Sequence, residues 1–597
     1  MTFSLNISSL IDGYVSRRFT PSDVIAEVYR RIEAHGERPT WISLRAKADA
    51  LQRAEDAPEG PLHGIPFAVK DNIDVAGLQT TCACPDFAYP PARSAFAVER
   101  LEAAGAIVIG KTNLDQFATG LVGVRSPYGI PSCVFNADYI SGGSSSGSAV
   151  AVAGGLVSFA LGTDTAGSGR VPAAFNNIVG LKPTKGIVSA HGVVPACRSQ
   201  DTVSVFALTV ADAQFVYKQI AAFDAEDAFA RRQPGASAYV SARPRIGIPG
   251  APLEFFGDDA AVGLYADAIA CARSLGAEIV EIDFTPFADA ARLLYSGPWV
   301  AERLAAIKTF AATHPASLHP VVGEIILGGG SLSAVDAFEG FYRLADCARA
   351  AEAQWRAMDM LLLPTAPTIY RIADVLADPI RLNSNLGLYT NFVNLMDLSA
   401  LAVPAGFRDD GLPFGVTFIA PAFADAAIAE FGDRLHRAAS AVRLGASAHR
   451  LDATPKFDAS GGRSRAVQVA VVGAHLSGQP LNAQLQERNA RLLRRTRTSQ
   501  GYSFYALAGT VPAKPGLVFD GTGAGGIEVE IWEMDEAAFG SFVAMIPPPL
   551  AIGTVALADG GTVKGFVCEG HAVDGARDIT SFGGWRNYLS GGGREQT

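Results

Sequence analysis

Between Asp138 and Asp164 the chain carries no charged residue. The first part of that stretch, SGGSSSGS (141–148), is serine and glycine, and the second, AVAVAGGLVSFALGT (149–163), is almost wholly apolar. Serine and glycine at this density suit a flexible linker, a phosphate cradle, or a backbone tight enough to carry a reactive hydroxyl. A linker would not run on into a segment fit only for a core. A phosphate loop of the GxxxxGK[ST] type needs a lysine that does not follow here, and a GxGxxG after a strand is absent. The nucleophile-elbow pattern GxSxG matches Gly143–Gly147 only with Ser145 at its centre, and no histidine partner is evident nearby. The apolar part is shorter than a bilayer requires, so a buried helix over 149–162 is expected.

Hydroxyl chemistry without histidine needs another base. A lysine serves if burial lowers its pKa enough to populate the neutral amine. Lys70, at the end of the apolar run in HGIPFAVKDNID (63–74), is placed for that role. A salt bridge to Asp71 or Asp74 is the competing reading, and spacing alone leaves both open.

The surrounding chain reads as alternating strands and helices. IPFAVK (65–70), AIVIGKT (106–112), RPRIGIP (243–249) and MLLLPTAP (360–367) are apolar, strand-like runs between helical patterns. One such pattern places Val24, Ile25, Val28, Tyr29 and Ile32 on one face, opened by Pro21-Ser22 and stopped by Gly36. This alternation predicts an α/β domain on a mixed or largely parallel sheet. At 597 residues, 49% of them hydrophobic, the chain is too long for one core. The polar, Pro- and Gly-containing stretch 452–466 is the expected linker between domains 1–451 and 467–597. Beyond it, GIEVEIWEM (526–534) alternates at period two, and GTVALADGGTVKGFVCE (553–569) reads as two strands around a Gly-Gly turn. The tail is thus expected to be a smaller α+β domain. Its basic run ERNARLLRRTR (487–497) is read as a solvated helix face, offset by acids around 528–536.

Net charge is −10, which argues against a general nucleic-acid or membrane-surface binder. The 7 cysteines form no CxxC pair and the histidines show no ligand spacing, so reduced thiols, no metal and no cofactor are expected. The N-terminal segment does not read as a secretory signal, which gives a cytoplasmic expectation.

Three segments together resemble the amidase signature family: HGIPFAVKDNID, GGSSSGSA (142–149) and GTDTAGSGRVPAAFNNIVGLKPTKG (162–186). The third is the most specific, and the resemblance covers roughly residues 20 to 430. It implies Ser168 as nucleophile, Ser144 as a bridging serine after a cis peptide, and Lys70 as base. An amide is a poor electrophile, so the attack also needs a stabilised oxyanion. The consecutive N–H groups of Thr165, Ala166 and Gly167 are where that hole is expected. For Ser141, Ser145, Ser146 and Ser148, hydrogen bonds to the loop's own backbone are expected. Asp164 and Arg170 are read as structural, paired with each other or with the Lys70 region.

YSGPWVAERLAAI (295–307), LNSNLGLYTNFVNLMDLSALAVPAG (382–406) and the tail, with GAHLSGQPLN (473–482), are similar to the branch of that family acting on allophanate, a small, flat, carboxylated urea. The resemblance implies Arg303 as the carboxylate fork, with Tyr295 on nearly the same face of one helix, and Gly120 as a backbone contact. It also implies that the tail speeds loss of carbon dioxide from N-carboxycarbamate. His475 is the candidate there, with Gln479 and Asn482 nearby and His571 weaker. A homodimer, and a urea carboxylase supplying the substrate, are the partners implied. The alternative is a broader amidase for small aliphatic amides or malonamate, with an accessory domain.

Overall fold

The computed structural model describes residues 3–233, 243–439, 443–451, 466–488 and 490–591. Most of the expected linker, 452–465, lies outside them. The described residues up to 451 belong to one compact unit and those from 466 to a second.

The first unit is built on eleven strands: β1 (Trp41–Leu44), β2 (Pro66–Lys70), β3 (Ile107–Thr112), β4 (Phe159–Asp164), β5 (Val179–Lys182), β6 (Thr202–Ala207), β7 (Arg245–Pro249), β8 (Glu278–Ile282), β9 (Met360–Pro364), β10 (Leu398–Phe407) and β11 (Pro413–Pro421). They form one mixed sheet in the order β1-β3-β2-β4-β6-β5-β10-β11-β9-β7-β8. β2, β3 and β4 run parallel at one end of this order, while β10 and β11 are antiparallel near its middle. Every residue of β2, β3 and β4 is buried, as continuous apolar strands covered on both faces require.

Helices flank the sheet. The helix Pro21–His35 begins at its proline and is capped by Thr20, whose hydroxyl accepts from the Asp23 N–H while Asp23 reaches back to the Thr20 N–H. It stops at Gly36, which adopts φ +76°.

The charge-free stretch is not one helix. It forms a helix, Ser146–Ala153, a turn at Gly154–Gly155 and then β4. Gly155 takes φ +67°, which ends the helix and redirects the chain into the sheet. All eight residues of that helix are buried, which explains why no polar face was legible. No single helix among the described residues is long and apolar enough to cross a membrane.

The second unit has its own core around Val469, Val471, Phe504, Ile531, Trp532 and Phe566. Its strands are β12 (Ala466–Val471), β13 (Arg491–Arg497), β14 (Tyr502–Ala506), β15 (Pro515–Phe519), β16 (Glu528–Asp535), β17 (Leu550–Ala556), β18 (Thr562–Cys568) and β19 (Arg577–Asp578). Five form a sheet in the order β13-β16-β12-β18-β17, and β15-β14-β19 form another. With the helices Glu536–Val543 and Trp585–Ser590 this is an α+β unit. The basic run at 491–497 is therefore an edge strand, not a helix face. β16 decides this: Arg495 and Arg497 lie opposite Glu530 and Glu528 across the antiparallel pair.

Candidate active site

Lys70 ends β2 with its side chain fully buried. Its Nζ lies 2.8 Å from Ser144 Oγ and 2.8 Å from Thr163 Oγ1. Neither Asp71 nor Asp74 pairs with it. Asp71 forms a buried ion pair with Lys111 at 3.0 Å, and Asp74 accepts from Tyr89 and Thr80. Burial pushes the Lys70 ammonium down to about 7, against the pull of Cys82, Asp115, Asp201 and Asp164. Near neutrality a large fraction is thus the free amine, 2.8 Å from the Ser144 hydroxyl.

Ser144 follows a cis peptide from Gly143. Glycine is needed at 143 because a Cβ there would stand 2.1 Å from Asp115 Oδ2 and 2.6 Å from the Gly123 nitrogen. The neighbouring serines are structural, but they bond adjoining segments more than their own loop. Ser145 Oγ donates to the Thr163 carbonyl, Ser146 to Asn113, Ser148 to Leu161 and Ser141 to Pro131.

Ser168 sits in the loop between β4 and the short helix Val171–Phe175. Asp164 and Arg170 brace that loop through a fully buried, two-pronged ion pair at 2.9 and 3.0 Å, and Asp164 also accepts from the Gly169 N–H. Ser168 Oγ makes a long contact to the Gly120 carbonyl at 3.5 Å. No hydrogen bond joins it to Ser144. Among the described residues no acceptor in the protein takes the N–H of Ala166, Gly167 or Ser168. Gly167 adopts φ +140° with Thr390 packed where a Cβ would be. The Thr165 hydroxyl donates to Asp201.

Arg303 is buried, and it and Tyr295 are on two helices rather than one. Gly297–Pro298 separates Thr285–Ser296 from Trp299–Thr313. The break still leaves the Arg303 guanidinium over the Tyr295 ring at 5.3 Å, with Nη2 3.5 Å from its hydroxyl. Nη1 donates to Thr119 Oγ1 at 3.2 Å, and Nε has no partner. No carboxylate lies within ion-pairing distance of Arg303 among the described residues. The adjacent Glu302 instead accepts from Ser199 N–H and Oγ at 2.7 and 2.8 Å. Gly120 takes φ +154°, and a Cβ on it would fall 2.6 Å from Asp115 Oδ2 and 3.2 Å from Arg125 Nη1.

In the second unit, His475 lines a cavity of about 230 Å³ with Gln484, Lys514, Phe542 and Phe566 among its walls. Its ring stacks on Phe566 and meets Phe542 edge-on, and its Nε2 lies 2.9 Å from Gln484 Oε1. Burial lowers its pKa, opposed by Gln484 and assisted by Lys514. Asn482 Nδ2 holds the His475 carbonyl at 2.9 Å. Gln479 gives its N–H to the Leu476 carbonyl and does not line the cavity, so Gln484 takes the polar role expected of it. His571 is exposed beside Glu569. Among the described residues no group of three or more His, Cys, Asp and Glu side chains could hold a metal, and all seven cysteines are free.

Thr163, Thr119, Asp201, Gln484 and Lys514 were not singled out by the sequence. Thr163 reaches Lys70 because β2 and β4 are neighbours, a pairing no local pattern encodes.

Comparison with known proteins gives the chain's relatives. The amidase family model matches residues 23–428, and the chain belongs to that family. Residues 467–590 match the model of the allophanate hydrolase C-terminal domain. The chain is 45% identical to the urea amidolyase of Saccharomyces cerevisiae over 92% of its own length and 31% of that protein. It thus spans about a third of the urea amidolyases it matches. It is similar to the Kluyveromyces lactis allophanate hydrolase structure at 42% identity and a TM-score of 0.75, covering 98% of this chain and 99% of that one. It is also 38% identical to a glutamyl-tRNA(Gln) amidotransferase chain of Symbiobacterium thermophilum, over 65% of this chain and 85% of that one.

Proposed function

We propose that this protein hydrolyses allophanate (urea-1-carboxylate), with Ser168 as nucleophile. The observation that carries the reading is a pair of buried cations with different fates. Lys70 is held on a serine hydroxyl with its charge disfavoured, whereas Arg303 stays charged with no carboxylate to meet it. Burying an unpaired guanidinium is costly, and an anionic substrate relieves that cost.

Allophanate offers a carboxylate to Arg303, with the Tyr295 hydroxyl adjoining, and its terminal amide carbon to Ser168. Neutral Lys70 takes the Ser144 proton as Ser144 takes that of Ser168, so Ser168 Oγ attacks. The free N–H groups of the Thr165–Ser168 loop receive the oxyanion, and the Gly120 loop packs the other side. The relay in reverse protonates the departing nitrogen, and ammonia leaves. Water, activated by the same relay, releases N-carboxycarbamate. Attack requires Ser168 to rotate from the Gly120 carbonyl toward Ser144.

In the second unit, the His475 cavity is suited to promoting loss of carbon dioxide from N-carboxycarbamate. His475, Gln484 and Lys514 supply polar groups within aromatic walls, and a weakly solvated carboxylate loses carbon dioxide more readily. Carbamate then decays to ammonia and carbon dioxide.

A urea carboxylase supplying allophanate is the functional partner this reading implies. Self-association is supported by the helix Ala334–Trp355, which exposes Val335, Phe338, Phe341 and Tyr342 together.

Ammonia release from allophanate, malonamate and acetamide by the protein and by Ser168→Ala and Arg303→Ala tests the reading. Strong turnover of allophanate, abolished by the first change and steeply reduced by the second, supports it. Turnover of plain amides indifferent to Arg303 leaves an amidase and removes the allophanate assignment.

A further inference from the structure

One loop ties together the two ends of the first-unit site. At one end, Asp201 accepts the Thr165 hydroxyl at the start of the nucleophile loop. The same carboxylate accepts the N–H groups of Ala196 and Cys197, at 2.8 and 3.2 Å, which folds residues 196–201 into a tight turn. The Gln200 and Asp201 N–H groups close that turn on the Cys197 carbonyl, both at 2.8 Å. At the other end, Ser199 clasps Glu302 with both its N–H and its hydroxyl, and Cys197 Sγ donates to the Trp299 carbonyl. Glu302 and Trp299 belong to the first turn of the helix that carries Arg303.

From Thr165 to Glu302, then, every link is a hydrogen bond to a short, self-closed turn, and the one long side chain among them, Glu302, is held at both carboxylate oxygens by Ser199. When ionised, Asp201 also favours the protonated form of Lys70 and of Arg303, although burial pushes its own carboxyl up to about 6.

We infer that Asp201 is a positioning residue that fixes the span between the nucleophile loop and Arg303, and thereby selects the length of the carboxylated amide that reacts. The inference rests on the proposed use of Arg303 for a substrate carboxylate. Its physical basis is that a short, planar substrate cannot adjust to a pocket whose two ends drift. A displacement of about 1 Å at either end costs on the order of a hundredfold in rate. A longer, flexible substrate tolerates such drift. Loosening the turn therefore penalises the matched substrate more than a mismatched one.

The test uses the full chain with allophanate, malonamate and succinamate, the last longer than malonamate by one methylene. Asp201→Asn keeps the size and one acceptor oxygen but loses the charge and sets an amide NH2 against neighbouring donors. Ser199→Ala loosens the opposite end and carries the same test if Asp201→Asn does not fold, with melting temperature as the check. The expected result is a fall of at least tenfold in the malonamate-to-succinamate ratio of kcat/KM, borne mainly by kcat. A ratio within threefold of wild type, with all substrates slowed alike, makes the turn merely structural and overturns the inference. A change confined to KM assigns Asp201 to carboxylate affinity and overturns it too. Wild-type turnover of malonamate without allophanate counts against the proposed function, while the malonamate-to-succinamate ratio still decides the role of Asp201.

Discussion

Lys70 Nζ and Ser144 Oγ stand 2.8 Å apart in a site closed to solvent on both sides of the contact. That distance joins an amine whose charge is disfavoured to a hydroxyl that has no other basic partner. The rate should follow the neutral fraction of Lys70. With its pKa lowered to about 7, kcat/KM should rise with pH through that value and level off above it. Lys70→Arg, which stays charged, should be inactive throughout. The unfolded state binds the lysine proton up to a pH near 10.5, so stability lost to burying Lys70 is greatest below about 7 and recovers as pH rises between the two values. Lys70→Met should therefore raise the melting temperature, more at pH 6 than at pH 9, by up to a few kcal/mol in stability. Thermal scans at the two pH values check this.

Arg303 presents a fork that a lysine cannot reproduce. Arg303→Lys should lower kcat/KM for allophanate by about a hundredfold, as expected when a charged hydrogen-bond partner loses about 3 kcal/mol. The fall should be much smaller for acetamide, which has no carboxylate. Steady-state ammonia assays on both substrates provide the ratio.

Gly120 lies where the chain has room for hydrogen only. Gly120→Ala would drive a methyl group into Asp115 and Arg125 at a φ that alanine disfavours. The expected cost is about 2 kcal/mol of stability together with a fall in kcat. Calorimetry and turnover should move together, because the Gly120 carbonyl also holds the Ser168 hydroxyl.

His475→Ala should uncouple the two products. The first ammonia should appear at the normal rate, since His475 belongs to the second unit. Carbon dioxide and the second ammonia should lag. Following 13C-labelled allophanate by NMR would reveal the accumulating N-carboxycarbamate, and an absence of lag would remove the second unit from the chemistry.

The aromatic face of the helix Ala334–Trp355 should respond to charge. Phe338→Glu with Tyr342→Glu should halve the mass measured by sedimentation if two copies pair there. An unchanged mass would exclude that seam.

The end of an apolar strand marked Lys70 as one of two readings, and it was the resemblance of the glycine-rich motifs to the amidase signature that picked out Lys70, Ser144 and Ser168 together. The strand-helix alternation likewise showed the mixed sheet. What was hidden depends on which strands become neighbours. Thr163 meets Lys70 only through the β2–β4 pair, and Asp201 meets Thr165 because β6 runs beside β4. The arginine run at 491–497 has no hydrophobic period of its own, so its conformation follows from the acids of β16. The separation of Tyr295 and Arg303 onto two helices had a visible signal in Gly297-Pro298, but the contact across the break is tertiary. Gln484 replaced Gln479 for a similar reason: the turn after β12 swings the nearer glutamine away from the cavity.

The glycines at 120, 143 and 167 share one property: each has a neighbouring atom closer than 3 Å to where a side chain would begin. The floor of the site has no spare volume, so inheritance can alter it very little without losing the reaction. On the reading proposed above, a change in what the site accepts is then expected at its walls, above all the helices that carry Tyr295 and Arg303. A lineage of this kind changes its diet by rebuilding the rim around an unaltered hearth.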